Sequence, residues 1–326
     1  MELALQDDAV FVDQRWMDRE KALDHAAALK TKRIRVNVIW SRTHDFANLD
    51  ALYESAARRG IKLQLTITGP APASATRNHK IGGYRPDPVK FGAFARTVAA
   101  HFKGRVDRYS IWNEPNLSAW LSPSKSAPSL YRGLYSAGYK AIKTVDPKAK
   151  VLFGELAPNK DGRTIAPLQF LRAATCSKAN YKAARKCAPL QADGLAIHPY
   201  QLTKAPHKPT GRADDAPISQ LKWLTKALDK LAMRRALATP RKRGLDLYLT
   251  EFGYLSQGAR KQPASRRSAW LAAAYRIARK NPRVKQLLQY QLVDPPKREL
   301  WHSALLDRKG RRLAPFAGLA RAASAR

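Results

Sequence analysis

Eight times along its 326 residues the chain repeats one pattern. A short apolar or β-branched run is followed by about ten to twenty residues of helical periodicity. The runs are LALQ (Leu3 to Gln6), IRVNVIW (Ile34 to Trp40), KLQLTIT (Lys62 to Thr68), RYSIW (Arg108 to Trp112), VLFGE (Val151 to Glu155), GLAIHPY (Gly194 to Tyr200), LDLYLTEFG (Leu245 to Gly253) and VKQLLQYQLVD (Val284 to Asp294). The helical stretches between and after them are expected at 19–29, 49–59, 88–102, 129–145, 165–174, 218–237, 265–280 and 315–323. Strands joined by helix-length crossovers pair in parallel. Near-continuous apolar strands separated by helices predict a parallel sheet covered by helices. Eight units is the count of a closed (β/α)8 barrel, and the length fits. Residues 1–326 are therefore expected to form one α/β domain, a TIM barrel. An open doubly wound sheet competes, but it places a glycine-rich phosphate loop after an early strand. The corresponding stretch here, NVIWSRTHDF, contains no glycine.

Composition narrows the class. At 44% hydrophobic residues the chain is globular rather than disordered. No apolar run approaches the roughly 18 residues of a membrane helix. The opening MELALQDD has neither a basic n-region nor an apolar h-region, so no signal peptide is expected there. Sixty Lys and Arg against 25 Asp and Glu give a formal charge of +35. Such a surface attracts polyanions, including nucleic acid, anionic glycans and cell envelopes. A generally basic solvated surface accounts for the same number, and no nucleic-acid-binding motif accompanies it. The only cysteines, Cys176 and Cys187, are close enough in sequence to pair. A bond there suits an oxidising compartment, and two free thiols are the alternative. It would lie between the fifth helix and the sixth strand, on the face opposite the strand ends, as a structural staple. On this ground the protein is expected to be secreted or associated with the cell envelope, with the cytoplasm as the alternative. Oligomeric state is not legible.

In a barrel of this kind the C-terminal ends of the strands face one pocket. The second run supplies Arg35, Asn37 and Trp40 there; the fourth supplies Trp112, Asn113 and Glu114; the fifth supplies Glu155. The sixth supplies His198 and Tyr200, the seventh Glu251, and the eighth Tyr290 and Gln291, with Trp301 in the loop beyond. Polar and aromatic residues thus collect at strand ends, while strand middles read as apolar. Glu114 closes its strand and Pro115 stops the strand from continuing, so the carboxylate rests on rigid backbone. Glu251 closes the seventh strand in the same way. Two carboxylates across a pocket suit glycoside cleavage, one protonating the leaving oxygen and the other attacking or activating water. Arg35 and Tyr200 are the expected partners of the second carboxylate. Asn113 is expected on a sugar hydroxyl, and Trp40, Trp112, Trp120 and Trp301 as stacking faces. Glu155 and His198 are further candidates for sugar contact.

WNEPN followed by TEFGY resembles clan A of the glycoside hydrolases, the retaining (β/α)8 enzymes, along almost the whole chain. The resemblance implies Glu114 as acid/base and Glu251 as nucleophile, with Arg35, His198 and Tyr200 at matching positions. It is closest to cellulase-like and xylosidase-like bacterial members. It implies a carbohydrate substrate and no metal or organic cofactor. One departure is that many members end the eighth strand with a tryptophan platform, where this chain reads QYQLVD. Trp301 or Tyr290 is expected to substitute. Basic residues in the strand-end loops, among them Arg77, Lys80, Lys204, Lys208 and Lys297, make an acidic glycan one candidate substrate. A barrel that binds an anionic glycan or another polyanion without cleaving it is the competing function.

Overall fold

The computed structural model describes residues 1–184, 186–241 and 243–324. Eight parallel strands close a barrel: β1 (Glu2–Gln6), β2 (Arg33–Ile39), β3 (Lys62–Thr68), β4 (Arg108–Ile111), β5 (Lys150–Leu156), β6 (Gly194–Ile197), β7 (Leu247–Leu249) and β8 (Val284–Tyr290). Around the ring they run β1-β8-β7-β6-β5-β4-β3-β2, so β4 stands opposite β8. The expected (β/α)8 barrel is the fold observed.

The helices begin where the sequence signals them. Asp87 caps helix Pro88–His101 by accepting from the Val89 and Lys90 amides, and Pro88 occupies the first turn, where its missing N–H costs nothing. Asp18 caps Arg19–Ala28 in the same way. A short helix that the periodicity did not predict, Asp8–Phe11, turns the chain at the end of β1. The helix expected at 218–237 spans Leu221–Met233 and stops short of residue 237. The chain is needed for a second small sheet, in which Leu237–Ala238 pairs with Leu190–Gln191.

The strands are less uniformly apolar than expected. In RIRVNVI and KLQLTIT alternate residues are polar, and they point into the barrel. Arg35 on β2 touches Glu155 on β5, and Arg108 on β4 touches Gln286 on β8, contacts that only the interior allows. The apolar alternates, such as Ile34, Val36, Leu63 and Leu65, are buried against the helices. At the end where the strands begin, the interior is filled by charge. Arg33 and Arg108 both bind Glu2, and Arg33 also binds Asp107.

Cys176 and Cys187 are bonded, with Cα atoms 6.2 Å apart. The bridge follows helix Pro167–Ala174 and precedes Leu190, on the face where the strands begin. Among the described residues, no helix is long and apolar enough to cross a membrane.

Candidate active site

At the end of β4 the chain leaves the ladder with left-handed backbone at Trp112 (φ 68°) and Glu114 (φ 38°). Such conformations cost about 1–3 kcal/mol each and persist only where the surroundings fix them. Asn116 does much of the fixing. Its Nδ2 donates to the carbonyls of Ala157 and Ile165, and its Oδ1 accepts from the Ala157 amide. The Glu114 amide donates to the Glu155 carbonyl. The strand thus ends at Ile111, three residues before Glu114 rather than at Pro115, and Glu114 rests on irregular backbone tied to two neighbouring segments.

Glu155 owes its position to a bulge. Gly154 pairs with Ala196 and Leu156 with Ile197, leaving Glu155 as the extra residue at φ 53°. A bulge re-aims the side chain it carries. Here it turns a carboxylate into the barrel, where it meets Thr250, His198 Nε2 at 2.9 Å and Arg35 Nε at 3.4 Å.

Arg35 is the hub. Its Nε donates to Thr66 at 2.7 Å, its Nη1 to Gln6 and to Glu251 Oε1 at 2.8 Å, and its Nη2 to Asn113 Oδ1 at 3.1 Å. The other oxygen of Glu251 accepts from the Tyr200 hydroxyl at 3.1 Å. His198 Nδ1 lies 3.0 Å from Glu114 Oε1 and 3.5 Å from Glu251 Oε2. Laid end to end, these two spans cap the separation of those carboxylate oxygens at about 6.5 Å.

The electrostatics follow from burial and neighbours. Burial opposes charge on His198, but Glu251, Glu114 and Glu155 outweigh it and push the imidazole up to about 10. Burial likewise opposes ionisation of Glu155, and Arg35 and His198 bring its carboxyl down to about 2. Burial and the Glu251 charge together raise the Tyr200 hydroxyl well above the usual phenol range, so it remains a donor.

Glu155 and His198, expected to touch sugar, are wholly shielded from solvent, as is Arg35, the expected partner of the second carboxylate; all three side chains are at 0% exposure. Arg35 holds Glu251 and His198 holds Glu114, while Glu155 braces Arg35 and His198. Trp112 is also buried, edge-on to Phe91, with its indole N–H donating to the Trp120 carbonyl. It is core, not a stacking face. Trp40 is 9% exposed and lies parallel to Phe94 and edge-on to Phe91, so its ring is largely spent on packing. Trp120 is half-buried in the loop after β4.

Trp301 does fold back over the end of β8. Its ring centroid is 5.0 Å from that of Tyr200 and 6.2 Å from that of Tyr290. Gln291 places it, donating to the Trp301 carbonyl and accepting from the Ser303 amide. A residue absent from the sequence-based set also belongs here. Asp8, just beyond β1, accepts from the Asn37 amide at 2.6 Å and from Gln6 Nε2 at 2.8 Å. Gln6 carries it to Arg35, and the Glu251 charge acts on it. Its signal in the sequence is the pair of aspartates that closes LQDD, directly after the first strand.

No protein-family model matches the chain, and no curated protein matches it in sequence. Solved structures do match in fold. A family 39 glycoside hydrolase from Bacteroides cellulosilyticus superposes with a TM-score of 0.74 at 18% identity, covering 99% of this chain and 63% of that one. A monomeric β-xylosidase from Caulobacter crescentus gives 0.62 at 17% identity, with 98% and 67% covered. An exo-β-1,4-mannosidase from an Opitutaceae bacterium gives 0.64 at 18% identity, with 99% and 59% covered. The chain thus has the barrel fold of these glycoside hydrolases and spans about two thirds of their length.

Proposed function

We propose that the chain is a retaining β-glycosidase acting by double displacement. The observation that carries this reading is the placement of Glu114 and Glu251 against one nitrogen of His198. An oxygen separation capped at about 6.5 Å suits the roughly 5–5.5 Å of a retaining pair and falls at the lower edge of the roughly 6.5–9.5 Å an inverting pair needs for water. Glu251, oriented by Arg35 and Tyr200, attacks the anomeric carbon while Glu114 protonates the departing oxygen. The C–O bond to the leaving group breaks as the bond to Glu251 forms. Glu114 then takes a proton from water, which displaces Glu251 and releases the sugar with its original configuration. Asn113 has its Oδ1 held by Arg35, which fixes its Nδ2 as the donor for a hydroxyl beside the reacting carbon. Trp301 and Tyr290 supply the wall along the sugar face.

A carbohydrate substrate follows from this chemistry, and the solved relatives act on xylosides and mannosides by name. An acidic glycan is favoured by the loop after β6. Its two aspartates are already engaged, Asp214 with Arg172 and Asp215 buried under the Lys160 amide, while Lys204 and Lys208 are exposed. The disulfide supports residence in an oxidising compartment.

The test is sugar release from neutral and acidic β-glycans and aryl β-glycosides by wild type beside Glu251→Ala. Release by wild type alone is expected, with cleavage of uronic-acid polymers falling as salt rises. Equal activity of the two proteins would remove Glu251 as nucleophile. No release, with salt-sensitive binding of an acidic glycan, would leave a binding module. Salt-independent turnover of neutral glycans alone would reject the acidic substrate.

A further inference from the structure

Two cavities open at the ends of β8, β1 and β2 and meet at Asp8 and Arg15. One, of about 290 Å³, runs from Tyr290 and Trp301 outward to Trp16 and Leu300. The other, of about 330 Å³, runs from Asn37 to Arg42 and His44. Each is near the lower end of the roughly 300–1,000 Å³ of small-molecule sites. Joined, they form a groove over the ends of β8, β1 and β2.

Its position relative to the catalytic pair gives it a direction. Glu114, which protonates the leaving oxygen, stands at the end of β4, across the ring from β8. The departing part of the substrate therefore exits on the β4 side. Asp8, which lines the groove, is joined to Glu251 through Gln6 and Arg35, and Trp301 on its other wall packs edge-on against Tyr200, whose hydroxyl donates to Glu251. The groove thus continues from the nucleophile, on the side of the sugar that stays bound. Its lining suits sugars, with aromatic faces from Trp16, Tyr290 and Trp301 and hydrogen-bonding edges from Asp8 and Arg15. An enzyme that removed single terminal sugars would close this side. We propose that the groove holds the sugars preceding the reacting one, so that the protein cuts within a glycan chain. This rests on the glycosidase reading and adds the mode of attack to it.

The experiment compares kcat/KM on aryl β-glycosides carrying one, two and three sugars, in the xylose, glucose, mannose and glucuronic acid series. Wild type is expected to gain about tenfold or more from one sugar to two, because remote binding energy is used in the transition state. That gain is expected to shrink at least several-fold in Trp16→Ala and Leu300→Ala. Trp16 packs partly against the core, whereas Leu300 is 98% exposed and its replacement leaves the fold intact. A rate that is flat or falls with chain length, or a gain untouched by both variants, would overturn the groove while leaving the glycosidase standing. Failure to cleave any glycoside would sink the glycosidase reading. Calorimetric binding of the matching oligosaccharides would then decide the groove by itself, tightening with length if it holds sugars and not if it does not.

Discussion

Arg35 Nη1 and Glu251 Oε1 meet at 2.8 Å across 216 positions of sequence, with the guanidinium wholly shielded from solvent. The same guanidinium faces Glu155 and fixes Asn113. Removing one partner of a buried charge pair typically costs about 3–5 kcal/mol, because the other charge is left uncompensated. Arg35→Met is expected to lose that much stability in urea denaturation. R35K, which keeps the charge but cannot reach four acceptors at once, should recover part of it without restoring activity. A loss below about 1 kcal/mol for Arg35→Met would contradict the hub role.

The Glu155–His198 contact sets opposite pH limits. Glu155 is depressed from 4.5 to about 2, so its contribution is present above 4.5 and is lost as pH falls through 2. His198 is raised from 6.5 to about 10, so its contribution is complete below 6.5 and is lost as pH rises through 10. For this pair stability should be flat between about 4.5 and 6.5 and decline on both sides. Glu155→Gln should flatten the acid limb in a Tm series across pH. An acid limb as steep as that of wild type would contradict the assignment.

Asp7 carries the reverse sign. Burial pushes its carboxyl up from 3.8 to about 7 against the donors Val293 and Leu292. Its favourable contribution is present below 3.8 and lost as pH rises through 7. Asp7→Asn keeps an acceptor for the Leu292 and Val293 amides and removes the titration. The variant should be more stable than wild type at pH 8, with the gain shrinking towards pH 4. A gain independent of pH would contradict this.

The disulfide is remote from the pocket. Replacing Cys176 and Cys187 together by serine should cost about 3 kcal/mol of stability, the chain-entropy value for a short closed loop. Turnover below the melting transition should be unchanged. A fall in kcat at a temperature where the variant is folded would contradict a purely structural role.

The barrel and the position of the two glutamates were legible because both follow from local signals. Helix-length crossovers dictate parallel strands, and the run RYSIW ends within one residue of β4, whose last residue is Ile111. The roles of Arg35, Glu155 and His198 were only half legible. Their strand-end positions point to the pocket, but burial decides whether a side chain touches substrate or another side chain. The bulge that turns Glu155 inward has no sequence mark beyond Gly154. Trp40 and Trp112 show the same limit from the other side, since an aromatic residue at a strand end is equally suited to packing. The polar lining of the barrel is written as alternation in RIRVNVI and KLQLTIT, which departs from the near-continuous apolar strands expected of a parallel sheet. Asp8 lies just past the first strand, where only its register beside Gln6 and Asn37 shows that it joins the Arg35 network.

The most direct measurement of the central claim is the configuration of the first-formed product, followed by proton NMR on whichever β-glycoside wild type cleaves. If Glu251 attacks and water then displaces it, the hemiacetal appears first as the β anomer and mutarotates afterwards. An α anomer as the first product would mean a single displacement, with Glu251 not forming a covalent intermediate.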